Sequence, residues 1–206
     1  ITRDVADDLQ PSFFGSSGKE IIFSSNRLTD TLVNDADPFE KLAPTFDLFT
    51  YDIEKRNNVL LRLAEGKYSS RYQASSTDGN NITYIGDYNG VLNRYKAVFD
   101  SAISFIDTTT HYMYYLKSDA VTNYDRNISH QSVQNGSDEY GEVIFRNGRY
   151  RLRKGSPAIS EKIPESEIIK TNFRKEQDRL LFKADSIDEI RKWIIAEDKK
   201  RRDTLT

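Results

Sequence analysis

The chain has 206 residues, with 30 basic and 32 acidic side chains, a formal net charge of −2 and no cysteine. This balance gives no basic field to hold a phosphate backbone, so duplex nucleic acid is not an expected partner. Disulfides, thiolate metal sites and a cysteine nucleophile are excluded outright. No apolar run reaches the ~20 residues of a membrane-spanning helix, yet 12 Tyr and 11 Phe supply bulky core groups to a polar sequence of mean hydropathy −0.69.

The first readable element runs from Pro11 to Arg27: a short strand, a Gly15–Gly18 turn, and a strand in which Ile21 and Phe23 alternate with small polar residues. Such alternation around a glycine turn predicts a hairpin. The stretch Thr29–Pro44 lacks periodicity and holds Asp30, Asn34, Asp35, Asp37 and two prolines, which predicts a surface loop. Residues 46–53 predict a strand, Glu54–Asn58 a polar turn, and Val59–Leu63 a returning strand. The hairpin pattern then recurs sixty-one residues on: Gly18 falls on Gly79, Ile21 on Ile82, Phe23 on Tyr84 and Asn26 on Asp87. Each unit therefore carries about four strands, the content of one propeller blade. A bare blade needs roughly 40–45 residues, which makes the Thr29–Pro44 loop an insertion.

Further on, strands are expected at 93–99, 102–106 and 111–116. A hairpin is expected over Glu142–Leu152, where Asn147-Gly148 suits a type I′ turn. After Pro157 the composition turns to Glu, Lys and Arg. Ser186 with Glu189 forms a capping box, and Ile187, Ile190, Trp193, Ile194 and Ile195 form a stripe at helical spacing, so an amphipathic helix is predicted at 187–201.

The series Pro11, Phe13, Gly18, Lys19, Ile21, Phe23, Ser25, Asn26, Arg27 resembles the TolB-type β-propeller repeat, and Leu48–Ile53 resembles that family's following strand. Residues 1–4 look like the leading strand of a preceding repeat. The second copy keeps Asp78 and Gly79 but has Tyr72 in place of the Pro and lacks the Ser-Asn-Arg ending. The likeness extends to propellers embedded in large cell-envelope proteins of the Bacteroidota. It implies an all-β fold of propeller blades in units 1–63, 64–126 and 127–155, followed by a charged segment 156–206 with its helix. A closed ring needs at least about four blades, so the chain is expected to be part of a longer polypeptide. The implied role is a non-catalytic scaffold in the periplasm or envelope of a Gram-negative bacterium, with outer-membrane or secretion components as partners. Two alternatives stay open: the propeller part of a peptidase or carbohydrate-active enzyme, and a glycan- or small-ligand-binding module.

No residue is assigned a catalytic, cofactor or metal role. Gly15–Lys19 lacks the first glycine and the hydroxyl of a phosphate loop and reads as a turn. His111 is expected in a hydrogen-bonded structural role among strand aromatics, and His130 in a solvated polar loop. No G-x-S-x-G elbow accompanies either. Two oxygen-rich groups, Asp4/Asp7/Asp8 and Asp35/Asp37/Glu40, offer carboxylates of the kind that bind calcium but lack the Asp-x-Asp-x-Asp-Gly pattern. Tyr112 and Tyr114 share one face of a strand and Met113 and Tyr115 the other. With Tyr124 and Tyr140 they form the largest aromatic group, for which core packing is expected and a stacking platform is the alternative.

Overall fold

The computed structural model describes residues 2–15, 17–32, 42–63, 69–78, 81–134, 139–156 and 162–185. The chain divides into two compact units, Ile1–Ile169 and Lys170–Thr206.

The first unit is built of three antiparallel sheets formed in succession. Sheet I is β1 (Asp8–Phe14), β2 (Glu20–Ser25), β3 (Asp47–Asp52) and β4 (Leu61–Arg62) in that order. Sheet II is β5 (Arg71–Asp78), β6 (Asn81–Gly86), β7 (Asn93–Ile106) and β8 (Thr110–Ala120). Sheet III is β9 (Ile128–Val133), β10 (Tyr140–Arg146) and β11 (Arg149–Gly155). The first strands neighbour one another, β1 beside β5 and β5 beside β9.

Sheets I and II share one pairing register as far as Phe13 and Ser76, after which β5 bulges a second time. Asp8 opposes Ser25 as Arg71 opposes Gly86, and Ser12 opposes Ile22 as Ser75 opposes Thr83. Both first strands bulge at the same place, with Gln10 and Gln73 left-handed at φ 54° and 52°. Pro11 sits in the first bulge, where a residue without an N–H interrupts no regular ladder. Asn26 and Asp87 also play one role. Asn26 Oδ1 accepts the Asp7 N–H at 2.8 Å, and Asp87 Oδ1 accepts the Ser70 N–H at 2.7 Å, each just before its sheet's first strand. The sheets differ in the connection after the second strand, residues 26–46 in sheet I but only 87–92 in sheet II. The stretch in sheet I contains Thr29–Pro44, the expected loop, of which 33–41 lie outside the described residues.

Packing follows the alternation of each strand. Phe14, Ile22 and Leu48 of sheet I meet Ile82, Tyr84, Tyr95 and Ala97 of sheet II. Ile85 of sheet II meets Ile128 and Ile144 of sheet III. Phe23, Phe49, Tyr51 and Leu60 form a further cluster with Ile21, Leu32 and Ile53. At sites this well buried an aromatic-to-Ala change costs about 3–5 kcal/mol.

Several expectations are corrected. Residues 2–4 form no strand. The segments 93–99 and 102–106 are one continuous 14-residue strand, β7. His130 lies in β9 opposite Val143, not in a loop. Gly79, the trio Asp35, Asp37 and Glu40, and the helix expected at 187–201 lie outside the described residues.

The second unit contains a helix, α1 (172–185), that was not read from the sequence. Thr171 Oγ1 accepts the Arg174 N–H at 3.1 Å, an N-cap bond. Asp178 pairs with both Lys170 and Arg174, and Glu176 with Arg179. Its Phe173, Leu180 and Phe182 are exposed, so i,i+3 and i,i+4 ion pairs mark this helix where an apolar stripe does not.

Candidate interaction surface

Strand β6 pairs with β7 only from Asn81–Val98 to Gly86–Asn93. Beyond Val98, β7 continues to Ile106 with β8 as its sole ladder partner among the described residues, forming a two-stranded ribbon. An aromatic row leads from the core onto it. Buried Phe14 meets Phe99 edge-on at 5.9 Å, and Phe99 stacks on Tyr114 at 5.4 Å.

Farther out the ribbon is wet on both faces. Ile103, Phe105, Ile106 and Tyr112 are each more than half exposed, at 56%, 54%, 69% and 54%. Tyr112 opposes Ile103 and Tyr114 opposes Ser101, so the two tyrosines do share a face. The expectation that they pack in the core is overturned, because β7 outruns β6 and, among the described residues, no third strand or neighbouring sheet covers them. Tyr115 donates to Asp100, whose carboxylate holds the phenol above its ordinary value.

The ribbon tip is fixed by Asp107. Its Oδ1 accepts the Thr109 N–H at 2.8 Å, and both carboxylate oxygens lie 3.2 Å from His111 Nε2. The Thr109 N–H is the main reason the carboxyl sits below its ordinary 3.8. The His111 ring stacks on Phe105 at 4.1 Å.

A second apolar surface lies on sheet III. Val143 opposes Leu152 and Phe145 opposes Tyr150, which puts all four on one face. Phe145, Tyr150 and Leu152 are exposed there, Leu152 at 81%. The opposite face is held to sheet II by a buried charge. Arg94 is 1% exposed; its Nε donates to Gln131 Oε1 and its Nη2 to Glu142 Oε2, both at 2.8 Å. The guanidinium lies 3.5 Å from the Tyr140 ring centroid. Tyr124 donates to the other Glu142 oxygen at 3.0 Å, and burial followed by that carboxylate raises its phenol above 10.0. Tyr124 and Tyr140 therefore serve this network and stand apart from the ribbon tyrosines.

Arg27 binds Asp4 at 3.0 Å and Asp8 at 2.7 Å, so these two carboxylates serve a buried arginine, while Asp7 accepts from the Asn26 amide. Gly15 and Gly18 form the β1–β2 turn with φ of 72° and 65°. Among the described residues no three His, Asp or Glu side chains converge as metal ligands, and no helix is long and apolar enough to cross a membrane. A cavity of about 400 Å³ is lined by Arg71, Tyr88, Tyr95, Leu116, Lys162 and Ile163. In it Arg71 Nε donates to the Tyr88 hydroxyl at 2.6 Å.

No protein-family model matches the chain, and no curated protein sequence is significantly similar to it.

Proposed function

We propose that the protein is a non-catalytic interaction scaffold whose three sheets are successive blades of a TolB-like β-propeller, working in the envelope of a Gram-negative bacterium. The ribbon β7–β8 carries the reading. Large apolar groups standing in water on a projecting element mark a surface built to be covered by another protein. The common register of sheets I and II and the side-by-side first strands favour blades over unrelated sheets. The envelope setting and outer-membrane or secretion partners come from the sequence resemblance.

The test is affinity capture from an envelope fraction with the wild-type chain and with an F105S/I106S variant. A protein retained by the wild type and lost with the variant is expected. Capture of the same proteins by both would overturn the role given to the ribbon.

A glycan or small-ligand module is the second reading. It is favoured by the tyrosines Tyr112 and Tyr114 on one exposed face and by the cavity beside Arg71. Calorimetry against envelope polysaccharides, with Y112A/Y114A as control, separates it from the first.

A further inference from the structure

Sheets I and II each have four strands, and sheet III has three among the described residues, with β11 at its edge. From Arg149 to Lys154 every β11 side chain is exposed. Asn147 and Gly148, at φ 53° and 73°, close the hairpin as a two-residue turn. In such a hairpin the flanking pair is hydrogen-bonded and pairs then alternate. The N–H and C=O groups of Tyr150, Leu152 and Lys154 therefore face away from β10, at an edge that no described strand pairs.

The two faces of this edge differ in chemistry. Arg149, Arg151 and Arg153 share one face, at the ~7 Å spacing of alternate strand residues. Arg149 and Arg151 have no acidic partner among the described residues. Tyr150 and Leu152 occupy the other face beside Phe145. Like charges would oppose one another if two copies paired edge to edge, which disfavours self-association here.

We propose that β11 is a docking edge for an extended segment of a partner protein, with Asp or Glu at alternate positions and apolar residues between, added as a fourth strand. The strand ladder gives affinity, and the alternating side chains give register. A flexible polyanion would satisfy the arginines but leave Tyr150 and Leu152 bare, whereas a strand covers both faces. This assigns a partner chemistry to the proposed scaffold and rests on that reading.

The experiment uses the whole chain and a labelled peptide of about eight residues, the usual span of a strand, alternating Glu with Val and Tyr. An isomer with consecutive glutamates and a heparin oligosaccharide are the comparators. The alternating peptide is expected to bind best and to slow hydrogen exchange at the Tyr150 and Leu152 amides. R149S/R151S is expected to weaken it about tenfold, the loss of about 1.4 kcal/mol. L152P removes an outward-facing N–H, a position where an edge strand tolerates proline, and is expected to abolish peptide binding while heparin binding persists. Circular dichroism of each variant confirms the fold. Equal binding of the isomer or heparin without amide protection, or no peptide binding, overturns the proposal. The scaffold reading then stands or falls on the ribbon-dependent capture.

Discussion

The Gln10 side-chain carbonyl accepts the backbone N–H of Gln73 at 3.0 Å, so the bulge of one sheet is bonded to the matching bulge of the next. Gln73 repeats the reach toward β9: its Oε1 accepts the Gln131 N–H at 2.6 Å and its Nε2 donates to the Ser129 carbonyl at 3.1 Å. Both residues hold left-handed backbones, which cost about 1–2 kcal/mol each without a glycine. These bonds across sheets are the gain that offsets the strain.

Gln73→Ala should therefore destabilise the first unit by about 2–3 kcal/mol, because two backbone groups of β9 lose their partner while the backbone strain stays. Gln73→Gly loses the same bonds but relieves the strain, and should fall about 1 kcal/mol short of that loss. Urea unfolding of the two variants measures the difference. Equal stabilities would refute the strain argument.

Arg94→Met leaves Glu142 buried without its cation and should cost about 3–5 kcal/mol. The double variant R94M/E142L should be less destabilised than R94M alone, since no uncompensated charge remains. Thermal melts at neutral pH give the order, and a double variant worse than the single would contradict it.

Exposed and covered positions of the ribbon should differ in their effect on stability. F105S/I106S should change stability by no more than about 0.5 kcal/mol, because neither side chain is buried. Phe99→Ala interrupts the row from Phe14 to Tyr114 and should lower it by about 2 kcal/mol. Denaturant midpoints decide, with comparable losses in both counting against an exposed ribbon.

At the ribbon tip the Asp107 carboxyl is held below its ordinary 3.8, chiefly by the Thr109 N–H. A depressed carboxylate stabilises the turn above its unfolded value and loses that effect as pH falls through the folded one. The Thr109 amide resonance should therefore titrate with a midpoint below 3.8. A midpoint at or above it would mean that the turn is not formed in solution.

Gly148→Ala places a Cβ on a backbone at φ 73° and should cost about 1–2 kcal/mol. The loss should appear first as faster hydrogen exchange along β10 and β11. Uniform acceleration across all three sheets would instead indicate global unfolding.

The sequence by itself determined what depends on near neighbours. Asn147-Gly148 specifies its turn because two adjacent positive φ angles are cheap for few residues. The Ile21/Phe23 and Ile82/Tyr84 alternation fixes β2 and β6 because side chains on a strand alternate faces. The match of Asn26 to Asp87 likewise marked two residues that hold the entry to β1 and β5 in the same way.

Only the tertiary structure decided which surfaces are covered. Tyr112 and Tyr114 are as aromatic as Tyr84 and Tyr95, and their exposure follows from β7 outrunning β6, a length set by pairing with β8. Arg94 and Glu142 lie 48 residues apart in the chain. Their union depends on how sheets II and III stack, and no local pattern records it. Helix α1 carries no local apolar signature, because ion pairs and a Thr171 cap hold its turns.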